Sequence, residues 1–153
     1  MSAYKLLKKI SNDLSSFLTP LKQEYSKIGF DFSVIDPMNE YDDLYIEFTG
    51  YYFDNFTPKE KTPFKMLVVL CNDEEKQLHI PNIFLPKPMH HHGFGLKMVD
   101  IIRKAANEYG YQLFIIGMVN SFYNRMLNRG ALPCNECDDA VCITEHTDLN
   151  THY

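Results

Sequence analysis

No stretch of this chain approaches the roughly 18 apolar residues of a membrane-spanning helix. The opening segment, MSAYKLLKKISNDLSS, is charged where a secretory signal would be apolar. Positive charge is not in excess either: 15 Lys and Arg stand against 20 Asp and Glu, a formal net charge of −5. Neither nucleic acid nor a membrane surface is therefore an expected partner. Any anion the protein holds must be held by local geometry. Cysteine is sparse, with four in 153 residues, and does not demand a disulfide framework. The expected compartment is the cytoplasm, with its thiols reduced. There is no internal repeat and no dividing linker, so a single domain is expected over residues 1–153.

What is present is globular in character, 45% hydrophobic and 14% aromatic, and the length suffices to bury a core. Leu6, Leu7, Ile10, Leu14, Phe17 and Leu18 recur at three- and four-residue spacing and predict an amphipathic helix over 4–18. Thr19-Pro20 then reads as the cap and first residue of a short second helix that Gly29 ends. From Phe30 the pattern becomes extended. FDFSVI, DLYIEFTGYYF and FKMLVVLC are rich in β-branched and aromatic residues. The polar turn from Asn72 to Lys76 joins the third of these to QLHIPNIFL as an antiparallel hairpin.

After Gly95 the period is helical again: Val99, Ile102, Ala106 and Tyr109 share a face, and Gly110 caps the end. YQLFIIGMV (111–119) is almost continuously apolar, which predicts a strand covered on both faces. Phe122 to Arg129 reads as a helix closed by Gly130, and AVCIT (140–144) as a last strand. Strand, glycine turn, helix and buried strand make a right-handed parallel unit. With antiparallel strands flanking it, the fold class is α/β: a mixed, mostly antiparallel sheet with helices on both faces.

The turn itself is MHHHGFGL (89–96). The first N–H groups of a helix lack intrahelical partners and, with the helix dipole, bind anions. Gly93 and Gly95 remove the Cβ atoms that would hold a phosphate away from them. Taken alone, two glycines at such a turn read equally as plain structure.

The block from about Ile80 to Ala131 resembles the GNAT superfamily of N-acetyltransferases, which use acetyl-CoA. Their Q/R-x-x-G-x-G/A signature would here be His90-His91-His92-Gly93-Phe94-Gly95, between the strand end IFLP and the helix LKMVDIIRKAANEYG. YQLFIIGMV, then Asn120 with FYNRMLNRGA, and finally AVCIT resemble that family's later strand, helix and closing strand. Over the first half only the order of elements is similar. The resemblance implies an acetyltransferase that passes an acetyl group directly from acetyl-CoA to an amine acceptor. It implies that Ile83, Phe84 and Leu85 hold the pantetheine arm, that residues 90–95 wrap the pyrophosphate, and that Asn120 sits near the thioester. A homodimer is compatible with it.

The chain departs from the family in three places. His90 stands where Arg or Gln is usual, so cofactor affinity would rise modestly as pH falls. Met126 occupies the place of a tyrosine that protonates the departing thiolate; Tyr123, three residues earlier, is the candidate replacement and equally a core aromatic. The strand that usually precedes the first helix is missing. For the base that takes the amine proton, the candidates are Glu47, which equally faces solvent, and His79 on the strand leading to the turn. Tyr41, Asp42, Asp43, Tyr51, Tyr52 and Asp54 give the acceptor side an acidic, aromatic character that favours a cationic amine.

Two further readings stay open. A protein that binds coenzyme A without turnover is suggested by Met126. A zinc-stabilised interaction module is suggested by Cys134, Cys137, Cys142 and His146. The His90–His92 run is a poor metal set, because adjacent side chains diverge.

Overall fold

The computed structural model describes residues 2–37, 44–54, 59–134 and 139–150. Its first element is one helix, α1 (Ser2–Glu24), with Pro20 inside it. The expected break at Thr19-Pro20 does not occur. Thr19 Oγ1 donates to the Ser15 carbonyl at 2.7 Å, back onto its own helix, instead of capping a new one. Pro20 itself lies on the exposed side. An interior proline costs about 3 kcal/mol, and burying Leu21, only 5% exposed, returns roughly 1.5–3 kcal/mol. The stripe of Leu6, Leu7, Ile10, Leu14 and Leu18, all fully buried, thus runs unbroken into Leu21. A 3-10 turn (Ser26–Ile28) and Gly29 then lead into the sheet.

Strands β1 (Asp31–Ile35), β2 (Tyr45–Phe53), β3 (Lys61–Asn72) and β4 (Gln77–Ile83) pair antiparallel in succession. Helix α2 (Phe94–Tyr109) crosses over to β5 (Gln112–Ile115), which pairs parallel to β4. Helix α3 (Asn120–Asn128) leads to β6 (Leu132–Pro133) and β7 (Val141–Ile143). The sheet order is β1-β2-β3-β4-β5-β7-β6. This is the mixed, mostly antiparallel sheet with a central parallel strand–helix–strand unit expected from the sequence. Helices α1 and α2 lie against each other. Beneath them the sheet buries Ile46, Phe48, Leu67, Val69, Leu78, Ile80, Leu113, Ile115, Val141 and Ile143 in one core.

The strand expected over 111–119 is shorter and half-covered. Only Leu113 and Ile115 of β5 are buried, while Phe114 looks to the opposite face. The ladder between β4 and β5 ends with Ile116 N–H donating to the Ile80 carbonyl at 3.1 Å. Beyond it β4 keeps to β3, with Phe84 N–H donating to Met66 at 2.8 Å, whereas Met118 N–H turns to Asp139 at 2.9 Å. Two parallel strands therefore part at the centre of the sheet. Of the apolar residues after Ile115, Met118 joins the core, whereas Val119 is 69% exposed and borders the opening.

Candidate functional site

Where the strands part, the end of β4 borders a cavity of about 560 Å³. Its walls are the end of β4, the turn before α2, the first turns of α2, and one face of α3.

Alternation along the strand places the site's main-chain groups. Phe84 N–H points to β3, so the N–H and C=O of its neighbours Ile83 and Leu85 point away from β3, toward the opening. The Leu85 carbonyl accepts from His90 Nε2 at 2.6 Å, which requires that this nitrogen carry the proton. Pro86 and Pro88 have no N–H to offer. A 3-10 turn (Lys87–Met89) that follows Pro86 and contains Pro88 buries Met89 completely.

The histidines then diverge. His90 bridges back to Leu85, and His91 adopts a left-handed φ of 64°. His92 stacks on Phe94, with ring centres 5.5 Å apart, and meets Tyr25 edge-on. Tyr25 also packs edge-on to Phe94. That aromatic cluster fixes the turn onto the end of α1.

Gly93, with φ 76°, is the N-cap of α2, and its carbonyl accepts from Lys97 at 2.9 Å. The N–H groups of Phe94, Gly95 and Leu96 precede the first intrahelical donor, and all three residues line the opening. Gly95 is informative for a different reason. A Cβ there would meet nothing nearer than the Ile83 Cδ1 at 3.9 Å, an ordinary contact. The fold has room for alanine, and a helix prefers alanine to glycine by roughly 0.5–1 kcal/mol. What glycine leaves is bare backbone facing a cavity.

Sequence reasoning missed the other wall. Arg125 and Arg129 of α3 line the cavity beside Phe122 and Met126. Arg129 is tied back, its Nη1 donating to the carbonyls of Asp148 at 3.2 Å and Asn150 at 2.8 Å. Arg125 stands over the Phe122 ring at 5.6 Å. The lining thus carries two arginines and two histidines, and among the described lining residues none is Asp or Glu. A signal for this was in the chain: no acidic residue occurs between Glu75 and Asp100, or between Glu108 and Glu136. All lining residues fall in those two windows.

The candidate proton carriers lie elsewhere. Tyr123 is half-buried against the core and is not among the lining residues. Asn120 begins α3, exposed, next to the lining residue Val119. Glu47 lies on the sheet face away from α1, with Lys65 Nζ 3.6 Å from its carboxylate. His79 lies on that same face, edge-on to Phe114 at 5.6 Å, with Nε2 3.1 Å from Gln77 Oε1. It precedes Ile83 by four residues, roughly 13 Å of strand. Met126, at the place of the usual tyrosine, is 1% exposed and part of the wall.

Burial holds the His79 pKa below its ordinary value of 6.5. The unfolded state then binds its proton more readily than the folded one, so stability is full above about pH 6.5 and declines on acidification. The carboxylates with lowered pKa, Asp31 and Asp73, titrate below this window. Denaturant unfolding of wild type should show stability falling from pH 7 to pH 5, and His79→Gln should flatten that fall. Parallel slopes for the two proteins would clear His79 of the effect.

Of the four residues read as a zinc set, Cys137 lies outside the described residues, as do Tyr41, Asp42 and Asp43. Cys134 and Cys142 share the β6–β7 hairpin, and burial raises the Cys142 thiol pKa. His146 sits beyond the end of β7, 86% exposed and paired with Glu145. Among the described residues no three His, Cys, Asp or Glu side chains converge to hold a metal. Nor is any described helix long and apolar enough to cross a membrane.

No protein-family model matches the chain, and no curated protein matches it. Among solved structures it is similar to one from Agrobacterium tumefaciens designated a putative acetyltransferase. The identity is 12% and the TM-score 0.36, over 88% of this chain and 86% of that one. Values this low speak to neither substrate nor chemistry.

Proposed function

We propose that the protein binds acetyl-CoA in the opening between β4 and β5 and transfers its acetyl group to an amine. The observation that carries this reading is the acid-free, cationic lining in a chain of net charge −5, set at the bare N-terminus of α2. Such a wall suits a long polyanion with an apolar middle.

The pyrophosphate would lie on the N–H groups of Phe94, Gly95 and Leu96, with His90 and His91 beside it. The pantetheine amides would meet the strand-edge groups of Ile83 and the N–H of Leu85, whose carbonyl is held by His90. Met89, Val99 and Met126 exclude water from that side of the cavity. Acetyl-CoA supplies an activated thioester; the chain supplies position and a field of oriented dipoles.

A second reading has an observation of its own. Apart from His90 and His91, placed here beside the pyrophosphate, no described lining residue is a Tyr, Asp, Glu or Cys that could give or take a proton. A protein that binds coenzyme A and does not turn it over fits that lining equally.

Calorimetric titration with acetyl-CoA, followed by an amine panel monitored by thiol release, separates the readings. Saturable binding with thiol release on some amine is the expected result. Binding without release across the panel would favour the regulator, and no binding at millimolar acetyl-CoA would overturn both. Tyr123→Phe should leave binding intact, and loss of thiol release in that variant would assign it as the acid.

A further inference from the structure

We propose that Arg125 is a second phosphate-recognition point, reading the phosphate monoester on the ribose of the cofactor and so selecting coenzyme A over its dephospho form. This rests on the coenzyme A reading above and adds to it the specificity of the site.

The charge count is the first ground. The start of α2 offers roughly half a positive charge through its dipole. A ribose phosphate monoester adds about −1.5 to −2 beyond the pyrophosphate. In a chain of net charge −5 that second anion needs a local cation.

Arg125 is the cation the wall leaves available. The other arginines described nearby are committed: Arg103 pairs with Asp100, and Arg129 holds the Asp148 and Asn150 carbonyls. Among the described residues no carboxylate pairs with Arg125. Its guanidinium is held over Phe122, three residues earlier on the same helical face. Stacking orients the planar fork and lowers the entropy lost when it grips two phosphate oxygens, a geometry lysine cannot reproduce. The position matters too. Arg125 lines the cavity from α3, a different element from the α2 turn that lines it with Gly93 to Leu96.

A merely structural role makes a different forecast. An exposed arginine stacked on an aromatic contributes only modestly to folding. Its removal would then act alike on every ligand.

The test is calorimetric titration of wild type and Arg125→Gln with coenzyme A and with dephospho-coenzyme A, which differ only by that phosphate. Wild type should prefer coenzyme A by at least about tenfold, the scale of one charge-assisted pair. Arg125→Gln should lose most of that preference, its affinity for the dephospho form unchanged. Arg125→Lys, which keeps charge but not the fork, should fall between. Equal wild-type affinities for the two ligands, or equal weakening of both in Arg125→Gln, would overturn the assignment while leaving the coenzyme A site standing. Failure of wild type to bind either ligand would overturn the site and this inference together.

Discussion

Gly95→Glu is expected to abolish the rise in melting temperature that acetyl-CoA should give the wild-type protein if it binds as proposed. A ligand at about 100 times its Kd stabilises by roughly 2.7 kcal/mol. For a chain of this size each kcal/mol is worth about 2–4 °C, so the wild-type shift should be about 5–10 °C. Glutamate at position 95 puts a carboxylate where the pyrophosphate would lie, and the shift should vanish. Its fold should survive, because the nearest atom to a Cβ there is 3.9 Å away. Gly93 is a poorer choice for the test, since its φ of 76° strains any other residue and would lower stability by itself. Gly95→Ala sharpens the result. It should melt at or slightly above wild type without ligand, by up to about 1 kcal/mol, and bind acetyl-CoA more weakly. Thermal-shift measurements on the three proteins with and without acetyl-CoA decide it. An undiminished shift in Gly95→Glu would remove α2 from the binding site.

Phe48→Ala is expected to be the most damaging single truncation for stability. Phe48 is fully buried in the middle of β2, where its ring packs on Phe32 with centres 6.0 Å apart. Truncating a buried phenylalanine costs about 3–5 kcal/mol. The melting temperature should drop by roughly 6–20 °C on the same scale. Phe84→Ala is the matching control. Phe84 is 47% exposed at the rim of the cavity, so its loss should barely move the melting temperature. Calorimetric melting of both variants checks the contrast, and equal losses would contradict the placement of the core.

The sequence made some of this legible and hid the rest for physical reasons. The repeating leucines of α1 and the glycines that bracket α2 are local signals, so those elements were readable. Pro20 misled because burial of Leu21, a tertiary effect, offsets much of a proline's local cost. YQLFIIGMV misled because apolar residues serve equally a covered strand and the mouth of a cleft. For the site, the glycine turn was visible, being a strand-to-helix junction of consecutive residues. Arg125 was not, because a charged residue on a helix reads as solvated until another wall is known to face it. Only the absence of acids around it hinted otherwise.

The parting of β4 from β5 has one more consequence. Between Ile80 and Leu85 the sheet is one hydrogen-bonding partner short at its centre, where sheets are ordinarily complete. An occupant carrying amides would fill that place as a strand does, by main-chain pairing that ignores side-chain identity. Ligand and protein would then share a single ladder.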